Sequence, residues 1–216
     1  SDQAEALARF PHRDDFPPNT AVAFLREVIH ARPGEVTLLA IGPLTNVGLL
    51  FATDPEIPRL LKRLVLMCGR FDFRTPYPGP REWNAMGDPH ASAIVYRAPA
   101  APHLSIGLDV TMACRMEAAA CRRRLRGGAL DVAAAMAEVW FRHADQIVFH
   151  DPLAGAVIFA PDLCTYADGQ VEVELHSPRA AGMTHWTPGG DPAPHRIAAG
   201  VEVERFFRHY FEVVGG

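Results

Sequence analysis

Two short, almost continuously apolar segments constrain the fold of this chain more than any other feature. They span residues 36–41 (Val-Thr-Leu-Leu-Ala-Ile) and residues 63–68 (Arg-Leu-Val-Leu-Met-Cys), and a glycine follows each of them. A strand that does not alternate with polar residues is buried on both faces, which is typical of a parallel sheet covered by helices. Because such short runs bounded by turn residues favour strands over helices, we predict two buried parallel strands.

Helical patterns alternate with the predicted strands. An amphipathic stretch follows Thr20, a suitable capping residue, and Asp88-Pro89 has the acid–proline order of another helix start. The remaining predicted elements are helices over residues 44–51 and 201–213, a strand over 103–108, two helices within 116–147 that break at Gly127-Gly128, and a helix that Asp151-Pro152 opens. This alternation predicts an α/β fold with a mainly parallel open sheet flanked by helices.

The segment from residue 164 to residue 187 departs from this alternation. Its residues alternate between polar and apolar around Asp168-Gly169, a dipeptide typical of a two-residue hairpin turn. We therefore expect a small antiparallel excursion near the C-terminus, with its turn at this dipeptide. The length of 216 residues is that of one domain, so residues 1–216 are interpreted as a single domain.

Composition excludes several classes of function. The net charge is −4 and the isoelectric point is about 6.2, so there is no basic surface for nucleic acid. No uninterrupted apolar run reaches the ~18 residues of a membrane span. The four cysteines are scattered without a Cys-x-x-Cys pair, which predicts reduced thiols and a cytoplasmic protein.

Three polar groups lie at or near the carboxyl ends of predicted strands, where ligands bind in open α/β sheets. They are the turn Gly42-Pro-Leu-Thr-Asn46 after Ile41, the string Glu82-Trp-Asn84, and the pair His150-Asp151. Their placement predicts one ligand site at this edge of the sheet.

Each group also has a purely structural explanation. Asp151 suits a helix N-cap, Glu82 and Asn84 suit a solvated loop, and many α/β turns contain a glycine. In the functional interpretation, Glu82 and Asn84 lie in an extended loop and point to the same side, where they bind sugar hydroxyls. Asp151 is then a hard oxygen ligand for a cation, and His150 donates a proton near neutral pH.

Together these strings resemble the inosine–uridine-preferring nucleoside hydrolase family. The resemblance covers nearly the whole chain, and five segments carry it: Leu38-Leu-Ala-Ile-Gly-Pro-Leu-Thr-Asn46, Glu82-Trp-Asn84 with Asp88-Pro89, His150-Asp151-Pro-Leu-Ala154, residues 179–184, and Gly200-Val-Glu-Val-Glu-Arg-Phe-Phe207. It implies a nucleoside hydrolase-like fold and a ribonucleoside N-ribohydrolase, which converts a nucleoside and water to base and ribose.

The resemblance also implies roles for individual residues. The Asp151 carboxylate and the Ile41 backbone carbonyl would bind Ca²⁺, and Glu82 and Asn84 would hold ribose hydroxyls. His150 would protonate the leaving group, as in purine-accepting members. The implied ligand is a nucleoside or ribose, and the expected assembly is a homo-oligomer.

Two departures from the family pattern accompany these implications. No stretch matches the family's opening Asp-x-Asp-x-x-x-Asp-Asp cluster, for which Asp14-Asp15 is no substitute, and residues 75–79 lack the family's ribose-binding asparagine. We therefore expect an N-terminally incomplete domain with weak or absent calcium binding and weak or no activity. The alternative is a non-catalytic truncated relative that acts as a binding or oligomer-forming subunit.

A first prediction concerns the edge of the sheet. The resemblance places the unmatched first strand in the middle of the sheet, and both apolar segments require cover on both faces. We therefore expect the chain to associate with a second chain or to be marginally stable, which sedimentation equilibrium and thermal unfolding measure. A monodisperse 23.6 kDa monomer that melts cooperatively above ~65 °C would contradict this expectation.

Overall fold

A six-stranded sheet organises the computed structural model, which describes residues 2–72, 77–100 and 102–215. The strand order is β1-β2-β3-β8-β6-β7, and β4 and β5 form a separate antiparallel pair. The strands are β1 (Thr37–Ala40), β2 (Arg63–Leu66), β3 (His103–Ser105), β4 (Arg115–Glu117), β5 (Gln146–Val148), β6 (Cys164–Val173), β7 (Thr184–Pro188) and β8 (His195–Val201).

Helices lie on both faces of this sheet. They are α1 (Ala21–Ala31), α2 (Thr45–Thr53), α3 (Ile57–Leu60), α4 (Trp83–Gly87), α5 (Pro89–Arg97), α6 (Leu108–Thr111), α7 (Ala118–Arg124), α8 (Ala129–Trp140), α9 (His150–Phe159) and α10 (Val203–Val214), with 3-10 helices at Asp2–Arg9 and Pro161–Leu163. Among the described residues, no helix is both long and apolar enough to cross a membrane. All four cysteines are free and buried.

The strand directions confirm the predicted fold class. β1, β2, β3 and β8 run parallel, whereas β6 pairs antiparallel with β8 and with β7. The antiparallel part is therefore the small excursion expected near the C-terminus. The break between the two alanine-rich helices also lies where it was predicted, because Gly127 and Gly128 both have positive φ. The short strands β4 and β5 and the parallel strand β8 were not predicted.

The residues of β2 divide between two hydrophobic clusters. Leu64 and Leu66 pack with α1, α2 and α5 on one face of the sheet. Val65 and Met67 pack on the other face in the cluster that includes residues of α6 to α10. All four side chains are buried, so the unbroken apolar run reflects burial on both faces, as predicted.

The predicted turn at Asp168-Gly169 is wrong, because β6 continues through both residues. Asp168 lies opposite Arg196 of β8, and the two side chains form a bidentate ion pair at 2.6 and 2.9 Å. A Cβ atom on Gly169 would lie 2.3 Å from the Thr187 carbonyl oxygen and 2.6 Å from the Trp186 ring. The glycine therefore permits close approach of β7 and does not make a turn.

The strand β1 pairs only with β2 within the described part of the chain. One edge of β1 therefore has no paired strand among these residues. Ile41, directly after β1, is 47% exposed. The expected association or marginal stability stays a prediction.

Two histidines lie where the parallel strands meet the antiparallel part. His195 of β8 accepts a hydrogen bond at Nδ1 from the Val171 amide and donates from Nε2 to the Tyr96 carbonyl. His103 of β3 is 1% exposed, stacks on Tyr96, and has no hydrogen bond at either ring nitrogen within the described residues. Burial, together with the nearby His195, lowers the pKa of His103 to about 3.

A second prediction compares His103→Phe with His195→Phe. Phenylalanine at 103 retains the stacking and removes an imidazole without hydrogen bonds, so we expect a gain of roughly 1–3 kcal/mol in unfolding free energy at pH 7. The same change at 195 leaves the Val171 amide without its acceptor, so we expect a loss of about that size. Urea denaturation of both variants measures this, and destabilisation by His103→Phe would contradict it.

The same variants test the effect of pH. An unfolded histidine gains its proton near pH ~6.5, whereas the folded chain does not protonate His103 until about pH 3. Stability therefore falls as the pH drops between these values, because the unfolded state binds more protons. We expect this acid sensitivity to be weaker in His103→Phe.

Candidate active site

A cavity of about 420 Å³ lies at the carboxyl ends of β1 and β2. Its lining includes all five residues that the sequence predicts for the site: Ile41, Glu82, Asn84, His150 and Asp151. Residues from three separate segments thus meet at the edge of the sheet where α/β proteins bind ligands.

Glu82 has an extended backbone but is the N-cap of α4, and Trp83 and Asn84 are helical, so the extended loop expected for this string is wrong. Its Oε1 accepts a hydrogen bond from the Asn84 amide at 2.7 Å. Its Oε2 accepts from the amides of Ala85 at 2.9 Å and Gly69 at 3.1 Å. The carboxylate therefore joins the end of β2 to the first turn of α4.

The Glu82 side chain is almost fully buried, with 3% exposure. Burial raises its pKa, and the hydrogen bonds from the three amides and from Cys68 act in the opposite direction. Among the described residues, Oε1 accepts from one backbone amide and Oε2 from two, so Oε1 has the greater capacity to accept a hydrogen bond from a ligand.

Asn84 is also buried, and the two ends of its side-chain amide differ in their hydrogen bonds. Nδ2 donates to the Met67 carbonyl oxygen at 2.9 Å, directly after β2. Oδ1 accepts no hydrogen bond from the described part of the chain. Glu82 and Asn84 therefore both offer an acceptor in the cavity lining, although a cap and a helical turn place them there.

His150 is the first residue of α9, and its Nδ1 lies 2.7 Å from the Thr111 hydroxyl oxygen. Burial, followed by the positive charge of Arg115, lowers the pKa of His150 to about 4. The imidazole is therefore neutral at neutral pH, where the sequence analysis expected a ready proton donor. When the hydroxyl donates to Nδ1, the single ring proton is on Nε2.

Asp151 lies inside the first turn of α9, where the preceding Phe149 is the N-cap residue and makes no side-chain cap. The capping role considered for Asp151 is therefore wrong. Its carboxylate lines the cavity and accepts no hydrogen bond from the described residues. Burial raises its pKa, as expected for a carboxylate without donors around it.

The Thr45 and Asp88 side chains of the recognised motifs have structural roles. The Thr45 hydroxyl donates to Asp88 Oδ2 at 2.8 Å, and Asp88 Oδ1 accepts from the Ala91 amide at 3.0 Å. Asp88 is thus the predicted cap of α5, and Thr45 ties α2 to it. These contacts explain why the turn after Ile41 and the acid–proline pair occur together.

The remaining wall of the cavity is mostly apolar and was not predicted. It includes Tyr77, Trp83, Leu108, Leu125, Ala133 and Ala137 of α8, Phe149, and Tyr210 of α10. The amphipathic pattern predicted α10 but not which of its aromatic rings reach the cavity. The expected lack of a ribose-binding asparagine concerns residues 75–79, of which 75 and 76 lie outside the described residues.

The donor set does not fit a complete calcium site. Ca²⁺ takes roughly six to eight oxygen ligands. The predicted set contributes one carboxylate, from Asp151, and one backbone carbonyl, from Ile41. Within residues 2–72, 77–100 and 102–215, no group of three or more His, Cys, Asp or Glu side chains is arranged to hold a metal ion.

The sheet is open and mainly parallel, and hydrogen-bond acceptors and an apolar wall lie together at its carboxyl edge. This arrangement is typical of α/β enzymes that bind a small ligand at that edge. The chain belongs to the inosine-uridine preferring nucleoside hydrolase family, whose model matches residues 4–208. The family is metal-dependent in general.

Similar proteins agree with this assignment. The chain is 34% identical over 176 residues to the pyrimidine-specific ribonucleoside hydrolase RihA of Enterobacter sp. (strain 638), covering 76% of this chain and 55% of that protein. It is 29% identical over 204 residues to uridine nucleosidase 1 of Arabidopsis thaliana, covering 86% of this chain and 60% of that protein. The chain thus spans 55–60% of the length of these two relatives.

Solved structures confirm the nucleoside hydrolase-like fold. A plant nucleoside hydrolase, the PpNRh1 enzyme, superposes with a TM-score of 0.82 at 24% identity, covering 98% of this chain and 74% of that one. The purine-preferring ribonucleoside hydrolase from Gardnerella vaginalis has a TM-score of 0.78 at 27% identity, covering 93% and 66%.

A third prediction concerns calcium. Two recognised oxygen ligands are too few for a tight site, so we expect isothermal titration with Ca²⁺ to show no binding tighter than about millimolar, the weak end of the protein range. Asp151→Asn should abolish whatever weak binding exists. A micromolar constant that survives this substitution would show that other residues bind the ion.

Proposed function

We propose that this chain is a ribonucleoside N-ribohydrolase, which cleaves the N-glycosidic bond of a nucleoside with water. The observation that carries the proposal is the meeting of Glu82, Asn84, His150 and Asp151 in one cavity. The family membership and the hydrolases among the similar proteins support it, and they favour it over a non-catalytic subunit.

The polar part of the cavity lining suits a sugar with several hydroxyl groups. It offers hydrogen-bond acceptors at Glu82 Oε1, Asn84 Oδ1 and the Asp151 carboxylate, and ribose hydroxyls are donors to such atoms. Carboxylates beside the ring also stabilise the positive charge that develops as the glycosidic bond breaks. We assign Glu82 and Asn84 to the ribose hydroxyls.

The apolar part of the lining suits a flat, weakly polar leaving group. The rings of Phe149 and Tyr210 lie edge to face with their centroids 5.6 Å apart, and both line the cavity with Leu125. Aromatic and aliphatic walls of this kind bind a heterocyclic base through surface burial and ring contacts. The volume of about 420 Å³ lies in the ordinary range for small-ligand sites.

For the base, we propose a preference for pyrimidine nucleosides, with uridine as the test substrate. Two similar proteins are named as a uridine nucleosidase and a pyrimidine-specific hydrolase. A neutral His150 has a hydrogen bond to offer but no readily released proton at neutral pH, since its pKa is about 4. The resemblance gives this histidine the role of leaving-group acid in purine-accepting members, so a neutral His150 weighs against a purine preference.

For the metal, we propose calcium, with Asp151 and the Ile41 carbonyl as the contributions of this chain. Since these two ligands are an incomplete set, no catalytic step is assigned to the ion. We also propose a cytoplasmic location, because the cysteines are scattered without a Cys-x-x-Cys pair, and a homo-oligomeric assembly, because the family resemblance implies one.

A fourth prediction tests the proposed function by release of reducing sugar from uridine, inosine and p-nitrophenyl riboside. We expect weak but measurable turnover that is faster with uridine than with inosine. Asp151→Asn should reduce turnover of every substrate to background. His150→Ala should slow inosine more than uridine, but by less than the roughly 10²–10⁴-fold that loss of a proton donor typically costs, because the neutral imidazole offers the leaving base only a hydrogen bond.

The control for these variants is His143→Ala, because His143 is an exposed histidine outside the cavity lining and should leave all rates unchanged. Equal and mild effects of the His150 and Asp151 variants on all three substrates would contradict the assigned roles. Failure of the chain to release sugar from any substrate would contradict the proposed activity and support the non-catalytic alternative.

A further inference from the structure

The backbone that follows β2 is held by side chains from other parts of the chain. Four successive amides donate to side-chain oxygens: Gly69 to Glu82 at 3.1 Å, Arg70 to Thr184 at 2.9 Å, Phe71 to Asp109 at 2.9 Å and Asp72 to Asp109 at 2.5 Å. This segment has no helix or strand of its own. Its position therefore depends on the side chains that accept these bonds.

Thr184 makes the most distant of these contacts. It is the first residue of β7, it is 2% exposed, and it lies 114 residues from Arg70 in the sequence. Its hydroxyl accepts from the Arg70 amide at 2.9 Å and donates to the Arg70 carbonyl oxygen at 2.9 Å. One side chain thus satisfies both backbone groups of Arg70, as a neighbouring strand would do.

Arg70 extends this support to the cavity. Its guanidinium donates to the Gly79 carbonyl oxygen and, at 3.5 Å, to that of Tyr77. Tyr77 lines the cavity, and the Arg70 guanidinium lies 5.9 Å from the centre of its ring. Displacement of the Arg70 backbone would therefore move a wall of the cavity.

Gly182, two residues before Thr184, supports the neighbouring element. Its φ of +85° lies in the region that favours glycine, and a Cβ atom there would lie 2.6 Å from Met86 Cα and 2.9 Å from the Ala85 carbonyl oxygen. The turn before β7 therefore lies directly against the backbone of α4, which carries Asn84. Nearby, Arg81 Nη1 donates to the Ala181 carbonyl oxygen at 3.4 Å.

We propose that Gly182 and Thr184 are positioning residues of the active site, a pair that we call the brace. The brace contacts no ligand. It holds α4 on one side and Arg70 on the other, and so sets the distance between Asn84 and the wall that Tyr77 forms. This role in catalysis rests on the proposed function, whereas the support of the backbone does not.

The experiment compares Thr184→Val with Thr184→Ser and Thr187→Val. Valine preserves the shape of threonine and removes the hydroxyl, whereas serine retains it. Thr187 is an exposed residue of the same strand, so Thr187→Val controls for the chemical change. We expect Thr184→Val to lower kcat/KM for uridine by about 10–100-fold, since small displacements of catalytic groups have effects of this size.

We expect Thr184→Ser to retain the rate within about threefold, because it retains both hydrogen bonds, and Thr187→Val to be unchanged. Hydrogen–deuterium exchange in residues 69–72 and 83–87 should rise in Thr184→Val alone. If Thr184→Val does not fold, Thr184→Ala replaces it in the same comparison. A lower melting temperature with unchanged kcat/KM, measured where the variant is folded, would overturn the positioning role.

The two proposals fail separately in this design. If the wild-type chain hydrolyses no nucleoside, the proposed function fails. The exchange measurement still shows whether the brace supports the backbone. Faster exchange in both segments, reversed by serine, supports it. Unchanged exchange in Thr184→Val, with or without activity, overturns it.

Discussion

The three backbone hydrogen bonds that the buried Glu82 carboxylate accepts are the contacts on which the site depends. They join the Gly69 amide, at the end of β2, to the amides of Asn84 and Ala85 in α4. Burying a carboxylate costs free energy, and these amides offset that cost because each donates to the charged group. The polar part of the cavity lining therefore includes a carboxylate, that of Glu82, which also joins β2 to α4.

Asn84 has the same double role, since its Nδ2 is bonded to the Met67 carbonyl oxygen and the residue also lines the cavity. Asp151 and His150 differ from them, because α9 presents both side chains and few protein groups bond them. Side chains that protein hydrogen bonds hold in place, and that also line a cavity, are pre-organised for a ligand. Electrostatic catalysis requires such pre-organisation. The antiparallel part of the sheet also contacts this region, because Thr184 of β7 is hydrogen-bonded to the backbone of Arg70, just after β2.

Much of the fold and the membership of the site could be predicted from the sequence. Residues 63–68 predict a strand buried on both faces, and Asp88-Pro89 predicts a helix start. Both predictions succeed because the patterns depend only on neighbours in the chain. The hairpin turn predicted at Asp168-Gly169 by the same kind of local pattern was wrong. A glycine suits a turn or a close approach equally well, and the ring of Trp186, which requires the close approach, is contributed by another strand.

The sequence by itself determined the α/β alternation and the five residues that meet in the cavity, since hydrophobic periodicity and motif order are local properties. Only the tertiary structure decided that Glu82 is a cap, that Asp151 is not one, and that His150 is neutral at neutral pH. Hydrogen-bond partners and burial set these states, and Gly69, Thr111 and Arg115 are each at least 13 residues away from the group they affect. Charge and bonding at the site are therefore properties of the folded chain.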